Sequence, residues 1–289
     1  MARAISASQS GRGAVVVGGT RGIGLAVATL LAEQGAGVVV NGRDADAAAE
    51  AASRIDGAIA HPGSPADPAT ADAVIDRCIS EFGRIDILVN CAGTPGLAAE
   101  SILRVTSELF GELLTAHLVT TFETCRAAAP RMVAQGGGAI VNTSSFAFLG
   151  DYGGTGYPAG KGGVNGLTLA LAAELKEHGV RANVVCPGAK TRLSTGSDYE
   201  EHIAALNRRG LLDDVSTHAA LDAPPPEYAA PIYAYLASDR AKDITGRIFI
   251  AAGGFVGEFK RQTPALVGYR DHADSPPWSV DELHEMIAR

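Results

Sequence analysis

Between Val141 and Lys161 the chain reads VNTSSFAFLGDYGGTGYPAGK, with two hydroxyls, Ser144 and Ser145, a short loop ahead of Tyr157 and Lys161. Residues four apart share a helix face, so if Tyr157 opens a helix its phenol and the Lys161 ammonium can meet. The sequence predicts that helix: a glycine-rich loop precedes Tyr157, and GGVNGLTLALAAELKEHG follows with apolar residues at helical spacing until Gly179. A phenol with its ordinary pKa of ~10 is a poor acid at neutral pH. A neighbouring ammonium favours phenolate and lowers that value, making the tyrosine a usable proton donor or acceptor. A serine hydroxyl at a strand end can hold the same substrate oxygen that the phenol protonates.

The elements that would position such a group begin near the N-terminus. Ala14 to Val17 is a short apolar run, followed by GGTRGIG with Gly18, Gly22 and Gly24, an amphipathic segment LAVATLLAEQG, and a second apolar run VVVNGR. Strand, glycine turn, helix and strand within about thirty residues is the setting in which backbone can approach a pyrophosphate at a helix N-terminus. The glycine spacing is Gly-x-x-x-Gly-x-Gly. Further along, apolar strands alternate with helical segments, which argues for a mostly parallel sheet covered on both faces.

Taken together, these residues resemble the short-chain dehydrogenase/reductase family, in order from about Gly13 to Gly254. GGTRGIG is similar to the family's cofactor loop, DILVNCAG to its Asn-Ala-Gly strand, IVNTSS to its serine strand and YPAGK to its catalytic Tyr-x-x-x-Lys. CPG and ITGRIFIAAGG resemble the closing strand regions. The resemblance implies a Rossmann-like α/β fold: a doubly wound parallel sheet with helices on both faces, in a single domain with a C-terminal extension. It assigns proton transfer to Ser145, Tyr157 and Lys161. It assigns cofactor contacts to Gly18, Thr20, Arg21, Gly22, Ile23, Gly24, Asn90, Ala92, Gly93, Pro187 and Gly188, with Tyr157 and Lys161 contributing to both.

Several positions depart from the family pattern. NAD-binding relatives carry an acid at the end of the second strand for the ribose hydroxyls. Gly42 stands there, with Arg43 beside it and Arg21 able to approach the same corner. Two guanidinium groups suit a 2′-phosphate, so NADP(H) is expected in preference to NAD(H), with Asp44 reserved to cap the next helix. Ser64 occupies the place of an adenine-contacting aspartate, Asp67 aligns with a later acid, and Cys91 replaces a second asparagine. A single helix is predicted over Ser107 to Met132, and in it His117 replaces an asparagine that the family associates with a proton-relaying water. A histidine there can bridge water to backbone and adds a group that titrates near neutrality; a satisfied histidine in a helix contact is the alternative. Thr191 sits one position early for the family's carboxamide contact. The strand motif selects Ser145 and the usual distance to Tyr157 selects Ser144; side-chain alternation in a buried strand favours Ser145.

At 289 residues the chain can bury one large α/β core. Its net charge of −8 gives no electrostatic reason to expect nucleic acid or an anionic membrane as partner. No signal peptide or membrane-length run is visible. Cys78, Cys91, Cys125 and Cys186 lack paired or metal-like spacing, which fits reduced thiols in the cytoplasm, and no metal site is expected. The expected organisation is a flexible N-terminus over 1–12, the domain over 13–254 with a substrate-covering segment at about 189–228, and a tail over 255–289. The expected function is NADP(H)-dependent reduction of a small-molecule ketone or aldehyde, or the reverse, by a homodimer or homotetramer. A net non-redox reaction and a non-catalytic NADP-binding regulator are the rival readings.

Overall fold

Runs of valine and isoleucine buried on both sides build the centre of the molecule. The computed structural model describes residues 8–94, 101–152 and 154–288, so the first seven residues of the N-terminal lead-in lie outside it. The strands β1 (Gly13–Val17), β2 (Gly37–Gly42), β3 (Ala58–Pro62), β4 (Ile87–Asn90), β5 (Gly138–Thr143), β6 (Val180–Gly188), β7 (Ile248–Ala252) and β8 (Phe255–Phe259) form one sheet in the order β3-β2-β1-β4-β5-β6-β7-β8. All neighbours pair parallel except β7 and β8, which are antiparallel.

Alternate residues face opposite layers. Val16, Val40, Val89 and Val141 pack with Val27 and Leu31 of α1 (Gly22–Glu33), Ala51 and Ala52 of α2 (Ala45–Ser53), and Tyr233 of α9 (Ala230–Ala237). Val15, Val17, Leu88 and Ile140 pack with Ile75 of α3 (Pro68–Phe82), Met132 of α5 (Thr120–Ala134) and Ala172 of α6 (Gly156–Glu174). This is the doubly wound α/β arrangement that the alternation of apolar runs predicts. Strand order reverses between β1 and β4, and such a switch point opens a cleft at the strands' carboxyl ends.

Three segments differ from expectation. Residues 8–12 are tied down rather than flexible: Gln9 is fully buried and its amide donates to the Ala234 carbonyl, while Arg12 donates to the carbonyl of Ala237. The helix expected over Ser107 to Met132 is broken into α4 (Ser107–Leu114), a π-helical turn (Thr115–Val119) and α5. The sheet runs past Gly254, because Gly253 and Gly254 make a two-residue hairpin into β8.

The segment expected to cover the substrate forms α7 (Ser197–Arg208) and α8 (Asp214–Leu221), whose Ile203, Leu206 and Leu212 make a small apolar cluster with Tyr152 and Tyr199. Residues 260–288 form a second compact unit. Within it α10 (Val280–Ile287) starts at a Ser279–Glu282 capping box, and Arg270 stacks 3.7 Å from the Trp278 ring and pairs with Glu282 at 2.6 Å.

Candidate active site

The turn after β1 and the chain after β4 interlock through missing side chains. Gly18 adopts φ +74°, and a Cβ there would lie 2.7 Å from the Ala92 backbone; a Cβ on Gly24 would lie 2.2 Å from the Gly18 carbonyl oxygen. Only glycine meets both demands. Arg21 sits at the N-cap of α1 without a side-chain cap, and no acid occupies the first turn, so the opening amides of α1 remain open to an anion. The cradle therefore fits the pyrophosphate of a dinucleotide.

This turn forms one end of a cavity of about 1710 Å³. Gly18, Thr20, Arg21, Gly22, Ile23 and Gly24 face it from the turn, Arg43 and Ser64 from the ends of β2 and β3, and Ala92 and Gly93 from the end of β4. Pro187, Gly188 and Thr191 face it from β6 and the segment beyond, with Thr191 Cγ2 only 3.4 Å from where a Gly22 Cβ would be. Asn90 does not line the cavity with its side chain. Its amide points away from the cavity, donating to Asn142 Oδ1 at 2.9 Å and accepting from Thr124 Oγ1 at 2.8 Å, in a buried ladder that ties β4 to β5 and α5.

At the adenosine corner, Arg21 and Arg43 are both exposed, and among the described residues no carboxylate lies within ion-pair distance of either. Asp44 caps α2, accepting from the Ala47 amide at 2.8 Å. Asp67 caps α3 in the same way. At Gly42 a Cβ would meet Thr20 Cγ2 at 2.3 Å, so an acid there would require the Thr20 side chain to shift.

At the other end, β5 delivers two serines with different tasks. Ser144 is buried and its hydroxyl donates to the Lys161 carbonyl at 3.1 Å, anchoring the backbone of α6. Ser145 has extended backbone, and its oxygen accepts from the Ala147 amide at 3.2 Å at the start of a 3₁₀ turn (Phe146–Leu149), which leaves its hydrogen available toward the cavity. Tyr157 and Lys161 lie one turn apart on α6, with Nζ 5.7 Å from the phenol ring centroid. Nζ also donates to the Thr143 carbonyl at 2.9 Å. Burial pulls the Lys161 ammonium down to about 8.

His117 sits on the π-helical turn, in a slot that two glycines keep open. A Cβ on Gly93 would come within 2.7 Å of its ring, and one on Gly160 within 3.2 Å of its Cβ. Its ring meets Tyr157 edge-on at 4.9 Å. Nε2 lies 3.0 Å from the Thr94 carbonyl oxygen, which can only accept, so Nε2 carries the hydrogen and Nδ1 the lone pair. Nδ1 is buried and finds no partner. Burial, reinforced by Lys161, pushes the imidazole down to about 3, so His117 stays neutral instead of titrating near neutrality as the residue type suggests.

Cys91 Sγ accepts from the Thr143 hydroxyl at 3.4 Å, and burial raises Cys91 and Cys186 to about 11 and about 12; they are protonated thiols. Tyr199, His202 and Val215, from the segment expected to cover the substrate, line the cavity, as do Tyr152 and Phe255, which the sequence reading misses. For Phe255 a signal exists: the Gly-Gly dipeptide between two apolar runs marks a hairpin.

A family model described as short chain dehydrogenase matches residues 12–201. The chain belongs to the short-chain dehydrogenase/reductase family. It is 37% identical over 248 residues to a 3alpha-hydroxysteroid dehydrogenase of Mediterraneibacter gnavus, covering 83% of this chain and 95% of that protein. It is 34% identical over 258 residues to an NADP-dependent (R)-specific alcohol dehydrogenase of Lentilactobacillus kefiri, covering 86% and 98%. The crystal structure of a short chain dehydrogenase from Mycobacterium avium superposes with a TM-score of 0.77 at 28% identity, covering 97% and 94%. This short-chain dehydrogenase/reductase is thus an oxidoreductase of alcohol and carbonyl groups that uses a nicotinamide cofactor. Among its described residues no helix is long and apolar enough to cross a membrane.

Proposed function

We propose that this enzyme is an NADP(H)-dependent carbonyl reductase, reversible as an alcohol dehydrogenase, with Tyr157 as the proton donor. The observation that carries the reading is the Tyr157–Lys161 pair at 5.7 Å, facing one cavity with Ser145. When bound, the cofactor supplies or accepts the hydride. Ser145 donates a hydrogen bond to the substrate oxygen, and Tyr157 gives that oxygen its proton. The Lys161 ammonium favours the phenolate left behind. His117, neutral and edge-on to the phenol at 4.9 Å, fixes the position of Tyr157, and the phenol regains its proton from solvent entering the cavity.

Arg21 and Arg43, lacking carboxylate partners among the described residues, hold the 2′-phosphate. The NADP dependence in the name of the Lentilactobacillus kefiri relative supports that preference. The same reading places the enzyme in the cytoplasm as a homodimer or homotetramer.

Incubation of the purified enzyme with NADPH and a panel of ketones and aldehydes tests the proposal. Steady NADPH oxidation is expected, and Tyr157→Phe should lower it roughly 100- to 10,000-fold while NADPH still binds. Product formation without net NADPH loss would replace it with a non-redox reaction, and binding without turnover with a regulator.

A further inference from the structure

The cavity continues beyond the proton-transfer residues into a wall made by residues 146–152, by α7 and α8, and by Phe255 of β8. Its volume of about 1710 Å³ exceeds the roughly 1,000 Å³ upper end of single-ligand pockets, so a second molecule fits beside a dinucleotide. Phe146, Leu149, Tyr152, Tyr199, Leu212 and Phe255 present hydrocarbon to it. Two of the polar tips in this wall turn inward on the wall itself. His202 Nε2 lies 3.0 Å from the Tyr152 carbonyl oxygen, and the Tyr199 hydroxyl 3.5 Å from that of Ala220.

Charge is distributed just as unevenly. Between residues 145–154 and 199–255, the charged side chains lining the cavity are Asp151 and Asp213, with no lysine or arginine among them. The described cations lining the cavity are Arg21 and Arg43 at the adenosine corner, Lys161, bonded to the Thr143 carbonyl, and Arg192, an exposed side chain ahead of α7. Next to Asp151 and Asp213 an anionic substituent on the substrate would lose its water and meet like charge.

Resting on the carbonyl-reductase reading, we propose that the substrate is an uncharged ketone or secondary alcohol with a hydrocarbon body of ring size or larger. Carboxylate- and phosphate-bearing carbonyl compounds are excluded.

The test pairs methyl 4-acetylbenzoate with 4-acetylbenzoate, and adds butanone and a trimethylammonium-substituted acetophenone, using the full chain and NADPH. The neutral ester should show kcat/KM at least 30-fold above the anion and above butanone. Equal or better use of the anion, or a preference for the cation over the ester, would overturn the proposal. Titration of NADP⁺-loaded protein with methyl 4-ethylbenzoate and 4-ethylbenzoate, which cannot react, reads the same preference without turnover. If the neutral ligand binds at least 30-fold tighter while no carbonyl is reduced, the wall assignment stands and the reductase reading falls. Phe255 is 57% exposed, so Phe255→Arg should fold, and it should narrow the ester-to-anion ratio at least tenfold; an unchanged ratio sinks the assignment.

Discussion

One cavity, two construction methods. At the dinucleotide end, backbone meets backbone: Gly18 against Ala92, and Gly24 against Gly18. At the other end, side chains of α7, α8 and Tyr152 meet through ordinary apolar packing, and Phe259 of β8 meets Phe146 and Phe148. The first method tolerates one residue type per position, because a single Cβ would overlap main-chain atoms that have nowhere to go. The second tolerates many, since volume and apolarity suffice. A family can therefore keep its cofactor turn while its members diverge in what they reduce.

The contrast is breakable. Its largest expected effect is at Gly24→Ala, where the added Cβ meets the Gly18 carbonyl oxygen at 2.2 Å. Overpacking of this kind costs about 2–3 kcal/mol, read as a fall in denaturation midpoint, with dinucleotide Kd rising by more than tenfold. A dinucleotide Kd within threefold of the parent would show that the turn is not rigid.

Next comes His117, at the junction of the two ends. Its folded pKa of about 3 lies below the unfolded value, so the unfolded chain binds the extra proton between these limits. The stability due to its neutrality is fully present above pH 6.5 and is lost as pH falls toward 3. Between pH 6.5 and 5 the loss is about 1.5 kcal/mol. In His117→Asn the slope of stability against pH over this interval should shrink accordingly, as urea titrations at each pH would measure.

Arg43→Ala should weaken NADPH binding about tenfold, or about 1.4 kcal/mol, and leave NADH unchanged. Equal losses for both cofactors would remove the 2′-phosphate from that corner. The smallest effect is expected at Leu149→Ala on the substrate wall. Leu149 is 52% exposed, so stability should move by less than about 0.5 kcal/mol while KM for an apolar ketone rises several-fold.

What the sequence makes legible follows the same division. The glycine turn, the apolar strands and the Tyr157–Lys161 step are readable because backbone approach and helical spacing restrict residue type at fixed intervals. The direction of the Asn90 side chain is not readable from its motif, for a physical reason. Strand alternation turns its amide to the far face of the sheet, where Asn142 and Thr124 hold it, although its neighbours Ala92 and Gly93 do face the cavity. The π-helical turn at Thr115–Val119 leaves no compositional mark; the Thr121 hydroxyl, bonded to the His117 carbonyl at 2.7 Å, stands beside it as an ordinary helical threonine would. The charge state of His117 is equally invisible, since it depends on burial between Gly93 and Gly160, residues distant in the chain. The cover helices escape notice because only Ile203 and Leu206 of α7 are buried, with Leu212 in the connection to α8, too few to print a periodic pattern.

Phe259, in β8, stacks edge-on against both Phe146 and Phe148, the residues just after Ser145. A strand that begins beyond the last family motif thus steadies the loop next to Ser145, while its first residue, Phe255, lines the cavity. Exchanging this hairpin between related family members therefore changes the cavity lining while Ser145, Tyr157 and Lys161 stay in place.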